Sequence, residues 1–137
     1  MWNIVMVFME NKAGKLAKIT ETIAKNNIDL LLVDIADEGQ FGVLRILTDC
    51  PEKTRNILYN ENYTVALNKV ALVEIEDKPG ELAKLATVLE EEDINIKHAH
   101  GCIIDRGKKA IFAISVDNPE ILEERLMAKG IKIVVSL

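Results

Sequence analysis

The feature that most constrains this sequence is an internal repeat. A shift of 66 residues aligns segment 11–19 with segment 77–85, and the two segments share Lys, Gly, Leu, Ala and Lys at equivalent positions. Solenoid proteins usually need three or more repeats, so two copies indicate a duplicated globular module. We therefore predict two domains, which cover residues 1–68 and residues 69–137.

Each copy shows the same succession of hydrophobic patterns. A short apolar run is followed by apolar residues spaced three and four positions apart, which indicates a strand and then an amphipathic helix. A strand hairpin, a second helix that begins at Pro51 or Pro119, and a closing strand complete the copy. The hairpins contain Leu44 and Phe112 in their second strands, and the other predicted strands cover residues 4–9, 29–37, 63–67, 70–76, 94–104 and 131–135.

The order β-α-β-β-α-β, present twice, predicts an α+β fold. We expect two tandem ferredoxin-like modules, each a four-stranded antiparallel sheet with two helices on one face.

The composition excludes several functional classes. An apolar fraction of 49% with 28% charged residues is typical of a globular protein, and the net charge of −5 argues against nucleic acid as a partner. An aromatic content of 4% leaves few rings to stack on a large flat cofactor, so we expect no cofactor. No apolar run is long enough to span a membrane, and the N-terminus lacks the features of a signal peptide. We expect a cytoplasmic protein with no membrane partner.

The turn before the first helix of the second copy has the strongest chemical signal, in the segment Asp77-Lys-Pro-Gly-Glu-Leu82. If Pro79 is the first helical residue, Lys78 is the N-cap, and lysine has no acceptor for the amides of the first helical turn. Those amides would then be available to a small carboxylate, and Asp77 to an ammonium group. A small ligand that has both a carboxylate and an ammonium group is an amino acid. Alternatively, Asp77 caps these amides itself, and Pro-Gly is only a tight turn.

These residues resemble a known family. The pattern Asp-x-Pro-Gly-x-Leu at 77–82, Ile-Asn-Ile at 94–96 and the βαββαβ order are similar to those of ACT domains. The resemblance covers nearly the whole chain, once in each copy. It implies a non-catalytic regulatory protein that binds an amino acid at an interface between modules, forms a homodimer or higher homo-oligomer, and acts on a metabolic partner enzyme.

The resemblance also implies ligand-binding residues. Copy one departs from the pattern at Ala13, which replaces the usual proline, and at Asn11, which replaces the acid. Its affinity for an ammonium group is expected to be the weaker. The implied ligand-binding residues are Asp77, Pro79, Gly80, Glu81, Leu82, Asn95 and Ile96 in copy two, and Asn11, Ala13, Gly14, Lys15, Leu16, Asp29 and Leu30 in copy one.

Other functions have less support. His98, His100 and Cys102 are metal-competent residues on one face of a strand, but three such positions span roughly 13 Å, too wide for one tetrahedral ion, so we expect no metal site. RNA binding through the sheet requires aromatic residues on the central strands, and Phe112 alone, expected on the helix-covered face, does not supply them. No motif suggests a catalytic residue. The main alternative to a sensor is an oligomerisation or adaptor module without a small-molecule ligand.

Overall fold

The structure is a computed structural model that describes residues 1–10 and 12–136. The described residues form seven strands and four helices. In chain order they are β1 (Trp2–Met9), α1 (Lys15–Lys25), β2 (Leu30–Asp37), β3 (Gly42–Thr48), α2 (Pro51–Asn60), β4 (Thr64–Ile75), α3 (Glu81–Glu91), β5 (Ile96–Asp105), β6 (Lys109–Val116), α4 (Pro119–Ala128) and β7 (Lys132–Ile133).

The chain divides into two compact units. One unit is Asn3–Asn68, called here the first module. The other combines Met1–Trp2 with the chain from Lys69 onwards and is called the second module. Within the second module, the Trp2 indole N–H donates a hydrogen bond of 2.7 Å to the Val134 carbonyl oxygen. The first two residues are therefore fastened to the second module by a defined hydrogen bond.

The first module has the strand order β2-β3-β1-β4. β1 and β3 are antiparallel, and Val5 and Val7 pair with Ile46 and Leu44. Because side chains alternate across a strand, these four residues share one face of the sheet. Helices α1 and α2 add Ile19, Ile23 and Leu58 to this core.

The second module repeats this arrangement with the strand order β5-β6-β4, and β7 pairs with the other edge of β4. Ala71 and Val73 of β4 pair with Ile114 and Phe112 of β6. Helices α3 and α4 cover this face and contribute Leu85, Leu89, Leu122 and Leu126 to the second core. The predicted α+β fold with two ferredoxin-like modules is confirmed.

Two strand boundaries differ from the sequence-based prediction. The segments 63–67 and 70–76 belong to the single strand β4, because no glycine or proline between them turns the extended backbone. The closing strand predicted at 131–135 is reduced to the two residues of β7, which pair with Val73 and Glu74. Beyond β7, the Val134 N–H still donates to the Leu72 carbonyl oxygen at 2.8 Å. None of the helices in the described part of the chain has the length and apolarity to cross a membrane.

Substitution in α4 tests the assignment of the second core. Leu126 is fully buried, whereas its neighbour Met127 is 56% exposed. We expect Leu126→Ala to lower the free energy of unfolding by about 2–5 kcal/mol because it leaves a cavity, and Met127→Ala to change it by less than about 0.5 kcal/mol. Urea unfolding of both variants measures this difference. Equal effects would contradict the placement of α4.

Candidate functional site

The turn between β4 and α3 is built around a glycine in the left-handed region. Gly80 is the N-cap of α3, with φ of 91°, and the helix begins at Glu81. In the first module Gly14 has φ of 90° and precedes Lys15, the first residue of α1. Only glycine adopts such a φ without a steric penalty, so both copies need glycine for the turn itself. The expectation that Pro79 is the first helical residue and Lys78 the N-cap is wrong, because both precede this turn.

Asp77 fastens the turn to the β5–β6 hairpin. Its carboxylate oxygen Oδ2 accepts a hydrogen bond of 2.6 Å from the Gly107 N–H. Its own backbone N–H donates to the Lys108 carbonyl oxygen at 3.2 Å. The interpretation of Asp77 as a displaced helix cap is therefore wrong, since this carboxylate bonds to the hairpin. Within the described residues, no side chain caps the first-turn amides of α3.

Ion pairs surround this turn. Lys78 lies 2.9 Å from Glu76, and Lys84 lies 2.7 Å from Glu81. The hydrogen bond from Lys78, reinforced by its charge, lowers the pKa of Glu76, and the same contact raises the pKa of Lys78. The carboxylate of Glu81 likewise raises the pKa of Lys84. These charges are matched in pairs, whereas the hydrogen-bond donor to the Asp77 carboxylate is a neutral backbone N–H.

A recess of about 500 Å³ opens beside the turn. Its apolar surface comes from β4, the first turn of α3 and the β5–β6 hairpin. Two rows of cross-strand neighbours underlie it: Ala110 stands between Ile75 and Ile103, and Phe112 stands between Val73 and Gly101. The residues that line the recess are Ile75, Glu76, Asp77, Lys78, Leu82, Gly101, Cys102, Ile103, Ala110 and Phe112.

The Phe112 ring lies against the backbone of Gly101. A Cβ added at Gly101 would lie 2.3 Å from the nearest ring carbon of Phe112, which is shorter than any normal non-bonded contact. The ring therefore occupies the space that a side chain at position 101 would fill. A glycine within a strand often marks such a close approach, and here it gives the recess an aromatic floor.

The first module has a different pair at these positions. The repeat places Ile35 opposite Leu44, where the second module has Gly101 opposite Phe112. Two branched side chains thus replace the glycine and the ring. Ala13 and Gly14 form the exposed turn, Lys15 opens α1, and Leu16 is exposed. Asn11, which the family resemblance also implies for this site, lies outside the described residues.

The strand residues that we expect in the binding sites lie elsewhere in their modules. Asn95 and Ile96 are exposed at the start of β5. At 3.3 Å per residue, Asn95 is about 20 Å along the strand from Gly101, so one module alone does not bring it to the recess. In the first module, the Asp29 N–H donates to Asp49 at 3.1 Å, and Leu30 packs against the core.

The cluster of His98, His100 and Cys102 does share one face of β5, since these residues pair with Ser115, Ala113 and Ile111. Among the described residues, no three His, Cys, Asp or Glu side chains are placed to hold a metal ion. Cys50 and Cys102 are both free thiols, and burial raises the pKa of Cys50.

Sequence reasoning missed most of the recess. Gly101, Ile103, Ala110 and Phe112 come from the hairpin, and strand pairing alone brings them beside the turn. One signal was available in the sequence, because a glycine at position 101, inside a strand pattern, indicates a close approach of another group.

Comparison with known proteins agrees with this architecture. The family model for the ACT domain pair matches residues 2–136. The chain belongs to the ACT domain pair family. ACT domain pairs are regulatory domains and are generally non-catalytic. No curated protein is significantly similar to the chain.

Solved structures share the fold of this ACT domain pair. The protein BT0572 from Bacteroides thetaiotaomicron is 28% identical with a TM-score of 0.90, and the match covers 97% of this chain and 91% of that one. The ligand-free regulatory subunit of aspartate kinase from Thermus thermophilus is 14% identical with a TM-score of 0.66, covering 92% and 89%. The corresponding subunit from Thermus flavus is 17% identical with a TM-score of 0.63, covering 92% and 88%.

The contact between Gly101 and Phe112 is testable through stability. We expect Gly101→Ala to lower the free energy of unfolding by about 1–3 kcal/mol, since the new methyl group collides with the ring. Phe112→Leu removes that collision and should restore part of the loss, with a coupling energy of about 0.5–3 kcal/mol in a double-mutant cycle. Urea unfolding of the wild type, both single variants and the double variant gives this energy. Strictly additive effects would exclude the contact.

Proposed function

We propose that this ACT domain pair is a non-catalytic sensor that binds an amino acid at the turn between β4 and α3 and transmits the binding to a partner enzyme. The observation that carries the proposal is the recess beside this turn. It combines an apolar floor with the Asp77 carboxylate and with first-turn amides that no described side chain caps. Family membership supports a regulatory role for such a site.

The charges at the turn favour one orientation of the ligand. Asp77 receives a single N–H bond through Oδ2, and a carboxylate has acceptor capacity for several donors. We therefore propose that the ammonium group of the ligand binds Asp77. The carboxylate of the ligand would then bind at the N-terminus of α3, where the helix dipole favours an anion by about 0.3–1 kcal/mol at an exposed position.

A neighbouring module is needed to complete the proposed site. At about 3.3 Å per residue, Asn95 and Ile96 are roughly 20 Å and 17 Å along the strand from Gly101, so we expect them to contact the ligand only from another module. A homodimer related by a twofold axis would supply them reciprocally. Ligand binding would then stabilise the pairing of modules, and coupling of this kind typically amounts to about 1–3 kcal/mol.

Removal of the Asp77 charge tests the amino-acid site. Asp77→Asn retains an oxygen that accepts from the Gly107 N–H, so the hairpin contact persists while the charge is lost. We expect calorimetric titration of the intact chain with the twenty common amino acids to find at least one ligand. We expect Asp77→Asn to weaken its binding by at least about tenfold, because hydrogen bonds to charged groups are worth about 1.5–3 kcal/mol.

The matched control is Asp37→Asn in the first module, where the carboxylate likewise accepts a hydrogen bond from a glycine N–H, that of Gly39 at 2.9 Å. It should leave the affinity nearly unchanged. If none of the twenty amino acids binds, or if Asp77→Asn binds as tightly as the wild type, the sensor function is excluded for this site.

An oligomerisation or adaptor module without a ligand is the second candidate. It is favoured by an exposed apolar stripe on the edge strand β2, formed by Leu31, Val33 and Ile35. An edge strand with exposed apolar side chains is prone to pair with another chain.

Sedimentation without any amino acid distinguishes this candidate. If the stripe alone drives assembly, Val33→Lys dissociates an oligomer whose mass no amino acid alters. Met127→Lys, at an exposed apolar position on α4, is the control and should not change the mass. If the chain is monomeric without ligand, oligomerisation through this stripe is excluded.

A further inference from the structure

We infer that the recess in the second module selects an amino acid with an apolar side chain, and that Leu82, Ile103 and Phe112 provide the selectivity. This inference rests on the proposed function, since it concerns the same site. It goes further by naming the chemical class of the ligand.

The floor of the recess is apolar. Gly101 and Ala110 are the two smallest residues in the cross-strand rows beneath it: Ala110 lies between Ile75 and Ile103, and Gly101 lies beside Phe112. The Phe112 ring covers Gly101, so the bottom of the recess is an aromatic ring with a hydrocarbon border. A polar side chain placed there would lose water without gaining a hydrogen bond from these groups.

The walls of the recess are formed by exposed apolar side chains. Leu82 is 52% exposed and Ile103 is 58% exposed, although both belong to residue types that usually lie in a core. Both line the same recess rather than being scattered over the surface. An apolar side chain bound between them would remove hydrocarbon surface from water on both partners.

The charged residues of the recess lie together at one end. The charged lining residues, Glu76, Asp77 and Lys78, are consecutive and follow directly after β4. Glu76 and Lys78 neutralise each other at 2.9 Å, which leaves Asp77 as the carboxylate for an ammonium group. The polar end of a ligand therefore meets the turn, and its side chain meets the hydrocarbon.

The first module lacks this floor. Ile35 stands where the second module has Gly101, and Leu44 stands where it has Phe112. Without a glycine, no ring can lie against the backbone at that point. The selectivity thus belongs to the second module.

The experiment compares ligands and matched variants by calorimetric titration of the intact chain. The probes are leucine, phenylalanine, serine, aspartate and lysine. We expect leucine or phenylalanine to bind at least about tenfold more tightly than serine, as burial of an apolar side chain predicts. Leu82→Ser and Ile103→Ser should each reduce this ratio severalfold. Both positions are exposed, so these variants should fold, and near-wild-type thermal unfolding would verify that.

The control is Met127→Ser, which removes a similarly exposed apolar side chain of the second module that does not line the recess. It should leave the ratio unchanged. One outcome is that an amino acid binds with an affinity that Asp77→Asn weakens, while serine, aspartate or lysine binds as tightly as leucine and phenylalanine. In that case the proposed side-chain class is wrong and the sensor function stands. A ratio that neither Leu82→Ser nor Ile103→Ser alters would also overturn it. If no amino acid binds at all, both proposals fail.

Discussion

The burial of one sheet face under two helices is the constraint on which each module depends. Alternate residues of the central strands, such as Val5 and Val7 in the first module or Ala71 and Val73 in the second, must point toward the helices. This requirement fixes the register of every strand, because a shift by one residue would turn the apolar side chains to the other face. The turn after the first strand of each module is thereby held at one end of the sheet.

The position of that turn gives the second module its site. Gly80 reverses the chain from β4 into α3, and Asp77 fastens the same turn to the hairpin through Gly107. The hairpin contact holds Ile103 beside Leu82. The recess is therefore a consequence of how the strand, helix and hairpin are joined. Its charged residues lie at the join, and its apolar residues lie on the sheet and in the first turn of α3.

The two modules show how a duplicated fold acquires different sites. Both retain a glycine with φ near 90° before the first helix, since the turn requires it. They differ at the residues that the fold leaves free, where Ile35 and Leu44 correspond to Gly101 and Phe112. The strand core tolerates either pair, because both place an apolar side chain of the second hairpin strand under the helices.

The sequence by itself determined the duplication, the βαββαβ order and the helix-covered faces. These features follow from local rules, namely the period of apolar residues and the chemistry of glycine and proline. It also singled out the segment from Asp77 to Leu82, because a strand-to-helix turn has a recognisable composition. The extent of β4 and the start of α3 were predicted wrongly, since both depend on backbone geometry at single residues.

Only the tertiary structure decided what surrounds that turn. The bond from Gly107 to Asp77 joins residues thirty positions apart, and the pairing of Gly101 with Phe112 depends on the register of β5 and β6. Such contacts arise from strand pairing between distant segments, which no local pattern specifies. The physical reason is that a periodic sequence fixes which face a residue occupies, whereas only the packed sheet fixes its neighbours across the strands.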